Sequence, residues 1–308
     1  MIDFLNAAIV AGTPLLFAVL GEILTERSGK LNLGLEGMML IGAVVGFRVA
    51  VISSNPILSI TAAMLAGGLA ALIFGILTIS LRANQVVTGL ALSIFGTGFA
   101  SFLGKDLVGK VTPEPINAFF KTTPIPFLYD IPVIGPIFFN HNIFVYAGFL
   151  TVVICAIYLY HTRWGLQLRA VGENTAAADA AGININLYQY LHVIIGGAMC
   201  GLGGAYLSLV EVPAWQDNIV AGRGWIAIAL VIFCKWNPWL VFLGAYLFGG
   251  LDIIGFRIQG TNLPISQYFI DALPYIITII ILIISSTRKS RFGAGPAELG
   301  RPYFREEK

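Results

Sequence analysis

Long apolar runs occupy most of this chain and restrict its fold more than any other feature. Most of them reach the roughly 20 residues that a helix needs to cross the ~30 Å hydrocarbon core of a bilayer. They lack the alternation of membrane barrel strands, so helices must satisfy their backbone polar groups. The sequence therefore predicts an all-α integral membrane protein, a polytopic bundle of about nine transmembrane helices. The runs are 2–24, 35–52, 57–81, 85–103, 143–161, 187–210, 224–236, 239–257 and 267–285.

The composition agrees with lipid as the main solvent of the chain. Only 11% of the residues are charged, against about 25% in a soluble domain, and the mean hydropathy is +0.84. The net charge of +2 favours no nucleic-acid partner. The Cys and His residues, three of each, lack the spacing of a disulfide framework or a metal site. We therefore expect no metal site.

The distribution of basic residues predicts the orientation. When the basic tail, 286–308, is placed in the cytoplasm, twelve of the 18 Lys and Arg residues fall on that side, as the positive-inside rule requires. An odd number of spans then leaves the N-terminus outside. We predict a transmembrane domain over 1–285, a proline-rich extracytoplasmic loop over 104–142 and a long cytoplasmic loop over 162–186.

The long cytoplasmic loop contains the stretch "ENTAAADAAGI". Asn174 or Thr175 can cap a helix start, alanine is the best helix former, and Gly182 suits the left-handed position after a helix end. These signals predict a two-turn helix over 175–181, with a surface of methyl groups and Asp179 as its one charge. So short a helix is unstable alone in water, so it either packs on its own bundle or docks on another protein.

"GLQLRAVGENTAAADAAGIN" resembles the coupling-helix segment of ABC importer permeases, in the family that includes ribose, branched-chain amino-acid and nucleoside permeases. "ERSGKLNLGLEGMMLIGA", "GLGGAYLSL", "GRGWIAIALVIFCKWNP" and "PAELGRPYFRE" are similar to the nucleoside branch in particular. The resemblance spans about residues 8 to 305 and implies that 162–186 couples the chain to a cytoplasmic ATPase. The implied coupling residues are Glu173, Asn174, Ala177, Asp179, Ala180 and Gly182.

The resemblance also implies partners and a location. The partners are a cytoplasmic ABC ATPase subunit, a second permease subunit (homologous or identical), an extracytoplasmic substrate-binding protein and the lipid membrane of a prokaryotic cell. ATP and Mg²⁺ belong to the ATPase, and this chain has no cofactor. The stretch "GKDLVGKV" nearly matches a phosphate-binding P-loop, but it ends in Val111 and follows a membrane helix instead of a strand. We predict a transport subunit that is not an enzyme.

The stretch "ERSGKLNLGLEG" places charged residues, an amide and three glycines between the first two apolar runs. As an interfacial loop, it would bring Arg27 and Lys30 to lipid phosphates, and Asn32 would cap the second helix. As a helix break, it would line the inner mouth of a translocation pathway. The second interpretation is our prediction, because intramembrane carboxylates such as Glu22 and Glu36 are costly unless they face a cavity or a partner. The run "GRGWIAIALVIF" is its suspected counterpart in the second half.

The substrate is less constrained by the sequence. A nucleoside needs an aromatic platform for its base and amides or carboxylates for its ribose hydroxyls, although each aromatic residue is equally explained by core or belt packing. The nucleoside assignment depends on the resemblance, and a ribose-type sugar is the alternative. The predicted pathway residues are Glu22, Asn32, Glu36, Asn84, Gln85 and Trp225, with Trp215 and Phe95 as further suitable types.

Two other classes of function remain open. A stand-alone secondary transporter or channel needs ion-coupling groups near mid-membrane, and Glu211, Asp252 and Asp271 are candidates, although the sequence suggests that they are interfacial and unpaired. An integral membrane enzyme needs a catalytic constellation, and no such motif is visible. Copurification with a soluble ATPase separates the importer from both.

Overall fold

The computed structural model of the chain describes residues 1–259, 272–273, 275–280, 283 and 295–304. Regular structure in these ranges is almost entirely helical. Two short strands, β1 (Thr123–Pro124) and β2 (Asn140–His141), pair antiparallel in the loop 104–142. The helices are α1 (Ile2–Arg27), α2 (Leu35–Ser53), α3 (Pro56–Gly75), α4 (Gln85–Gly104), α5 (Glu114–Phe119), α6 (Ile134–Phe138), α7 (Ile143–His161), α8 (Arg163–Glu173), α9 (Thr175–Ala180), α10 (Ile185–Tyr206), α11 (Arg223–Phe233) and α12 (Pro238–Gln259).

Seven helices of the described part of the chain are long and apolar enough to cross a membrane. Helices α3 and α10 each continue into a π-helical turn, and α4 continues into a 3-10 turn. The seven spans confirm seven of the predicted runs and the all-α membrane class. The predicted run 267–285 lies mostly outside the described residues, so the count of nine helices remains a prediction. The spans are Ile2–Arg27, Leu35–Ser53, Pro56–Ser80, Gln85–Leu107, Ile143–His161, Ile185–Glu211 and Pro238–Gly255.

Helix α11 is a half-length helix of its own. It ends at Phe233, and α12 begins at Pro238. Lys235 and Trp236 lie between them in the left-handed region, with φ of 51° and 52°. Such backbone cannot continue an α-helix, and proline is well suited to the first position of the next one. The run 224–236 is therefore a short helix that is separate from the span that follows it.

Helices α1 and α10 form the centre of the bundle: α10 packs on α1, α2 and α3, and α1 also packs on α11 and α12. Glycines allow this close approach. A Cβ added to Gly42 of α2 would lie 2.4 Å from the Cα of Gly201 in α10, and one added to Gly96 of α4 would lie 2.3 Å from the Cα of Gly37 in α2. Without a hydrophobic driving force in lipid, small residues at the interface permit the van der Waals contact that stabilises the bundle. Helix α2 is thereby packed closely between α4 and α10.

The loop 162–186, predicted to be cytoplasmic, is more ordered than the sequence suggested. Besides the predicted short helix, it contains α8, an 11-residue helix. The hydroxyl of Thr162 caps its start by accepting the N–H of Gly165 at 3.0 Å. The loop 162–186 is therefore two consecutive helices that pack against each other.

Candidate functional site

The connection between α1 and α2, residues 28–34, is enclosed by protein; we call it the helix break. Lys30 and Asn32 are 2% and 1% exposed. The N–H of Leu31 donates to the Gln85 side-chain oxygen at 2.8 Å, and the N–H of Asn32 donates to a Glu22 carboxylate oxygen at 3.1 Å. Non-helical backbone at membrane depth is tolerated where protein satisfies it in this way. The predicted residues Glu22, Asn32 and Gln85 thus meet at the helix break.

The interfacial-loop interpretation is wrong for the basic residues of this stretch. The Lys30 ammonium is buried and lies 3.4 Å from the carbonyl oxygen of Thr78. Loss of hydration lowers its pKa to about 8. The Arg27 guanidinium contacts the Trp236 carbonyl oxygen at 3.3 Å and the Glu173 carboxylate at 3.8 Å. Both side chains therefore have protein partners in place of lipid phosphates.

Asn32 prepares the start of α2 but is not its cap. Its side-chain oxygen accepts the N–H of Gly34, two residues on, at 2.9 Å. Gly34 occupies the N-cap position, and no side chain caps the helix. Asn32 therefore forms a local Asx-type turn that directs the chain into α2.

Glu36 connects the start of α2 to the start of α11; we call this contact the junction. Its two carboxylate oxygens accept the N–H groups of Gly222 and Gly224, each at 2.8 Å. A carboxylate at a helix N-terminus satisfies otherwise unpaired N–H groups and interacts favourably with the helix dipole. A Cβ on Gly224 would lie 2.4 Å from the backbone nitrogen of Glu36, so only glycine permits this approach. The stretch "ERSGKLNLGLEG" and the run "GRGWIAIALVIF", suspected from the sequence to be counterparts, are thus in direct contact.

The chain before α11 re-enters the bundle to reach this point. Trp215 packs on Phe47 of α2, with ring centroids 5.9 Å apart, whereas Gly222 bonds to Glu36 near the start of the same helix. Phe47 and Glu36 are about three turns apart, or ~16 Å along α2. The segment between Trp215 and Gly222 therefore runs alongside α2 into the interior.

Arg223, the first residue of α11, corrects the expectation for two acidic residues. Its guanidinium lies 3.1 Å from a Glu211 carboxylate oxygen and 3.5 Å from an Asp252 carboxylate oxygen. Glu211 and Asp252 were expected to be interfacial and unpaired, but the structure shows them in one ion-paired cluster beside the junction. Asp271 lies outside the described residues.

The aromatic candidates and Asn84 lie in different surroundings. Trp215 is 2% exposed, and its contact with Phe47 makes it a core residue. Trp225 is 38% exposed, and Phe95 is 54% exposed and stacks on Phe99 with centroids 5.7 Å apart. Asn84 caps α4 by accepting the N–H of Val87 at 3.1 Å. Trp225, on α11, is the aromatic candidate nearest in sequence to the junction.

The predicted two-turn helix is confirmed as α9, and its caps are those that the sequence indicated. The Asn174 side chain accepts the N–H of Ala177 at 2.9 Å. Gly182 has a φ of +80° and donates to the Asp179 carbonyl oxygen at 2.9 Å, while Ile183 donates to the Ala178 carbonyl oxygen at 3.1 Å. This pair of bonds is a Schellman motif, so both ends of α9 are locally closed.

The surface of α9 divides into an inner and an outer face. Ala178 is buried, Asp179 is half-buried and bonds to the Tyr303 hydroxyl at 2.9 Å, and Ala177 and Ala180 are exposed. Glu173, at the end of α8, pairs with Arg27 of α1. The coupling candidates therefore combine an exposed methyl face with inward contacts to the helix break region.

Several residues of these sites were not found from the sequence. Thr78 carries no recognisable signal, and the segment 295–304 was noted only for its resemblance to the nucleoside branch and not for its contacts. Arg223 does carry one, because it immediately precedes the apolar run 224–236, and a charged residue at membrane depth marks a functional site by default. Its flanking glycines, Gly222 and Gly224, strengthen that signal.

Comparison with known proteins identifies the class. Residues 4–284 match the family of branched-chain amino acid transport system permease components. A putative glucose ABC transporter permease of Haloferax volcanii is 37% identical over 98% of this chain and 97% of its own. A guanosine ABC transporter permease of Bacillus subtilis is 38% identical over 90% and 89%, and a nucleoside ABC transporter permease of Lactococcus lactis is 36% identical over 90% of each chain. No solved structure matches the chain.

These matches, with the seven membrane-length helices of the described residues, define a multi-pass permease of a prokaryotic plasma membrane. The chain belongs to the family of branched-chain amino acid transport permease components and is an ABC transporter permease.

Proposed function

We propose that this chain is the membrane subunit of an ATP-driven importer that translocates a nucleoside or a related riboside. Two of the three relatives above are named for guanosine or nucleoside transport, and the local resemblances are to the nucleoside branch. The third is named for glucose at nearly the same identity. A sugar of the ribose or glucose type is therefore the second candidate substrate.

The observation that carries the importer proposal is the exposed methyl face of α9. Asn174 and the Schellman motif close both ends of the helix, and Ala177 and Ala180 are exposed. A six-residue helix gains little stability from its own hydrogen bonds. Small, preformed and protruding, it suits a groove on a cytoplasmic ATPase.

The pathway proposal places the solute near the helix break and the junction. Glu22, Asn32, Glu36 and Gln85 form the polar network that fixes these two interrupted segments, and Trp225 and Asn84 are the more exposed candidates around them. The permease does no covalent chemistry. It supplies two arrangements of the path, whose populations its partners bias.

The remaining parts of the proposal follow the importer mechanism. An extracytoplasmic binding protein delivers the solute, a second permease subunit, identical or homologous, completes the pore, and the ATPase binds ATP and Mg²⁺. The N-terminus is outside and 286–308 is cytoplasmic. A stand-alone secondary transporter is less well supported, because Glu211 and Asp252 are paired with Arg223 and are not free ion-coupling groups.

Reconstitution tests the proposal. The permease is coexpressed with a candidate ATPase and placed in liposomes that contain ATP, with a candidate binding protein and labelled guanosine outside. We expect the ATPase to copurify and guanosine to accumulate only with internal ATP, in competition with unlabelled nucleosides but not with ribose or glucose. ATP-independent uptake would refute the importer, whereas competition by glucose would transfer the assignment to a sugar.

A further inference from the structure

Residues 295–304, which we call the strap, bind two loops that are distant in sequence. The N–H of Glu298 donates to the Gly172 carbonyl oxygen at 3.0 Å, at the end of α8. The N–H of Gly300 donates to the Gly29 carbonyl oxygen at 3.1 Å, in the helix break. Two residues of the strap therefore connect the coupling loop to the helix break through backbone bonds.

The C-terminal half of the strap reaches α9 itself. The Tyr303 hydroxyl donates to an Asp179 carboxylate oxygen at 2.9 Å. The guanidinium of Arg82, in the α3–α4 connection, lies 4.5 Å from the ring centroid of Phe304, within cation–π range. The strap thus contacts the helix break, the end of α8, the helix α9 and the α3–α4 connection.

The strap also touches the end of α11. A Cβ added to Gly295 would lie 2.7 Å from the Trp236 ring, and the Trp236 indole N–H donates to the Glu26 carboxylate of α1. Gly300 has a φ of +80°, which only glycine adopts without strain. The path of the strap is therefore fixed at Gly295 by packing on Trp236, at Gly300 by its backbone conformation and at Tyr303 by the bond to Asp179.

A cavity separates α9 from the helix break where the strap does not fill the space. It encloses about 600 Å³ and is lined by Lys30 on the break side, by Asp179 and Gly182 on the α9 side, and by Tyr303 of the strap. The end of α8 contacts the other side of this gap directly, through Gly172 against Gly29 and through Glu173 with Arg27. The strap adds a second connection, which reaches α9 itself and can transmit its movement around the gap.

We propose that the strap transmits displacement of α9 to the helix break, so that ATPase movement at the coupling helix changes the inner end of the pathway. This inference rests on the proposed importer function. Glu298, Gly300 and Tyr303 are positioning residues: they touch neither solute nor ATP and act through Gly172, Gly29 and Asp179. The strap adds a second link to the contact between α8 and α1, so that the coupling loop and the helix break move as one unit.

The test compares removal of 295–308 with removal of 305–308 in the complete complex, reconstituted with its ATPase and binding protein. Four quantities are measured: membrane abundance, ATPase copurification, ATP hydrolysis and solute uptake. We expect the longer removal to retain the ATPase and its hydrolysis but to lower uptake per ATP hydrolysed at least tenfold. The shorter removal should transport normally.

Two substitutions preserve the test if the longer removal prevents folding. Tyr303→Phe removes the bond to Asp179 and keeps the ring, and we expect it to lower uptake per ATP by only about threefold, because the strap keeps its backbone bonds to Gly172 and Gly29. Gly300→Val strains the strap at positive φ. Gly109→Val is its matched control, because Gly109 has a φ of +78° and lies in the outer loop with no neighbour within 4 Å of its Cβ position.

The outcomes separate the strap from the importer proposal. Unchanged uptake per ATP in these variants refutes transmission. A parallel loss of ATPase copurification and uptake also refutes it, because the strap would then only support docking. Failure of the ATPase to copurify with the intact chain refutes the importer instead.

Discussion

Replacement of Glu36 tests the junction between the two interrupted segments. Its buried carboxylate accepts two backbone N–H groups, from Gly222 and Gly224, at 2.8 Å each. A hydrogen bond to a charged group contributes about 1.5–3 kcal/mol net. Glu36→Gln keeps one acceptor oxygen but turns an amide donor toward the second N–H group. We therefore expect it to destabilise the junction by about 1.5–3 kcal/mol, and Glu36→Ala to do so by about 3–6 kcal/mol.

These magnitudes predict a graded loss of transport. Since 1.4 kcal/mol corresponds to roughly tenfold in an equilibrium, Glu36→Gln should reduce the population with an intact junction by about ten- to a hundredfold relative to its broken form. Uptake per permease molecule should fall in the order wild type, Glu36→Gln, Glu36→Ala. Insertion should change less, because the apolar runs on both sides of Glu36 are unaltered.

The assay measures solute uptake and membrane abundance for each variant in the same cells, with the thermal midpoint of purified protein in detergent as a third readout. Glu114→Gln is the matched control, because Glu114 is exposed in the loop 104–142. If uptake of Glu36→Ala falls only in proportion to its abundance, the residue is structural and the pathway interpretation is wrong. If neither uptake nor midpoint changes, the energetic argument itself is refuted.

Three further predictions concern coupling, charge and orientation. Ala177→Trp should clash in a tight ATPase groove, at a cost of about 1–3 kcal/mol, and so reduce ATPase copurification and uptake. Ala118→Trp, at an exposed position of α5, should not. Normal transport by Ala177→Trp would remove α9 as the coupling element. The pKa of Lys30 is about 8 in the folded chain and 10.5 when unfolded, so the unfolded chain binds more protons between these values. The free energy of unfolding should therefore rise by up to about 3 kcal/mol as the pH increases through that window. Lys30→Met should reduce the rise in thermal midpoint between pH 7.5 and 9.5, whereas Lys110→Met should leave it unchanged. A cysteine at Asn117 should react with an impermeant label in whole cells and one at Ala177 only after permeabilisation, and the reverse pattern would overturn the orientation.

Features that depend on local sequence were predictable. The seven spans follow from the length and hydropathy of their runs. The α9 helix follows from its cap residues, because Asn174 and Gly182 act on backbone groups only a few residues away. Even α8 had a local signal in Thr162, whose hydroxyl caps it, but its mixed polar sequence resembles a loop when only membrane-length runs are sought.

Features that depend on distant pairing were not predictable. Nothing near Glu211 or Asp252 shows that Arg223 lies between them, because the pairing arises when the chain before α11 re-enters the bundle. The sequence did identify Glu36 as costly in lipid, but not its partners Gly222 and Gly224, nearly 190 residues further along the chain. A carboxylate within an apolar run indicates that it has a partner, but only the fold shows which residue that partner is.

The helix break and the junction are linked through a short section of chain, so movement of one is expected to move the other. Glu22 of α1 binds the N–H of Asn32, whose side chain binds the N–H of Gly34 at the start of α2. Two residues later, Glu36 binds the start of α11. A rotation of α2 about its close contacts with α4 and α10 would therefore strain both ends of this sequence of bonds at once. Because packed interfaces have discrete arrangements in place of continuous ones, the break and α11 should change together, as alternating access between two arrangements requires.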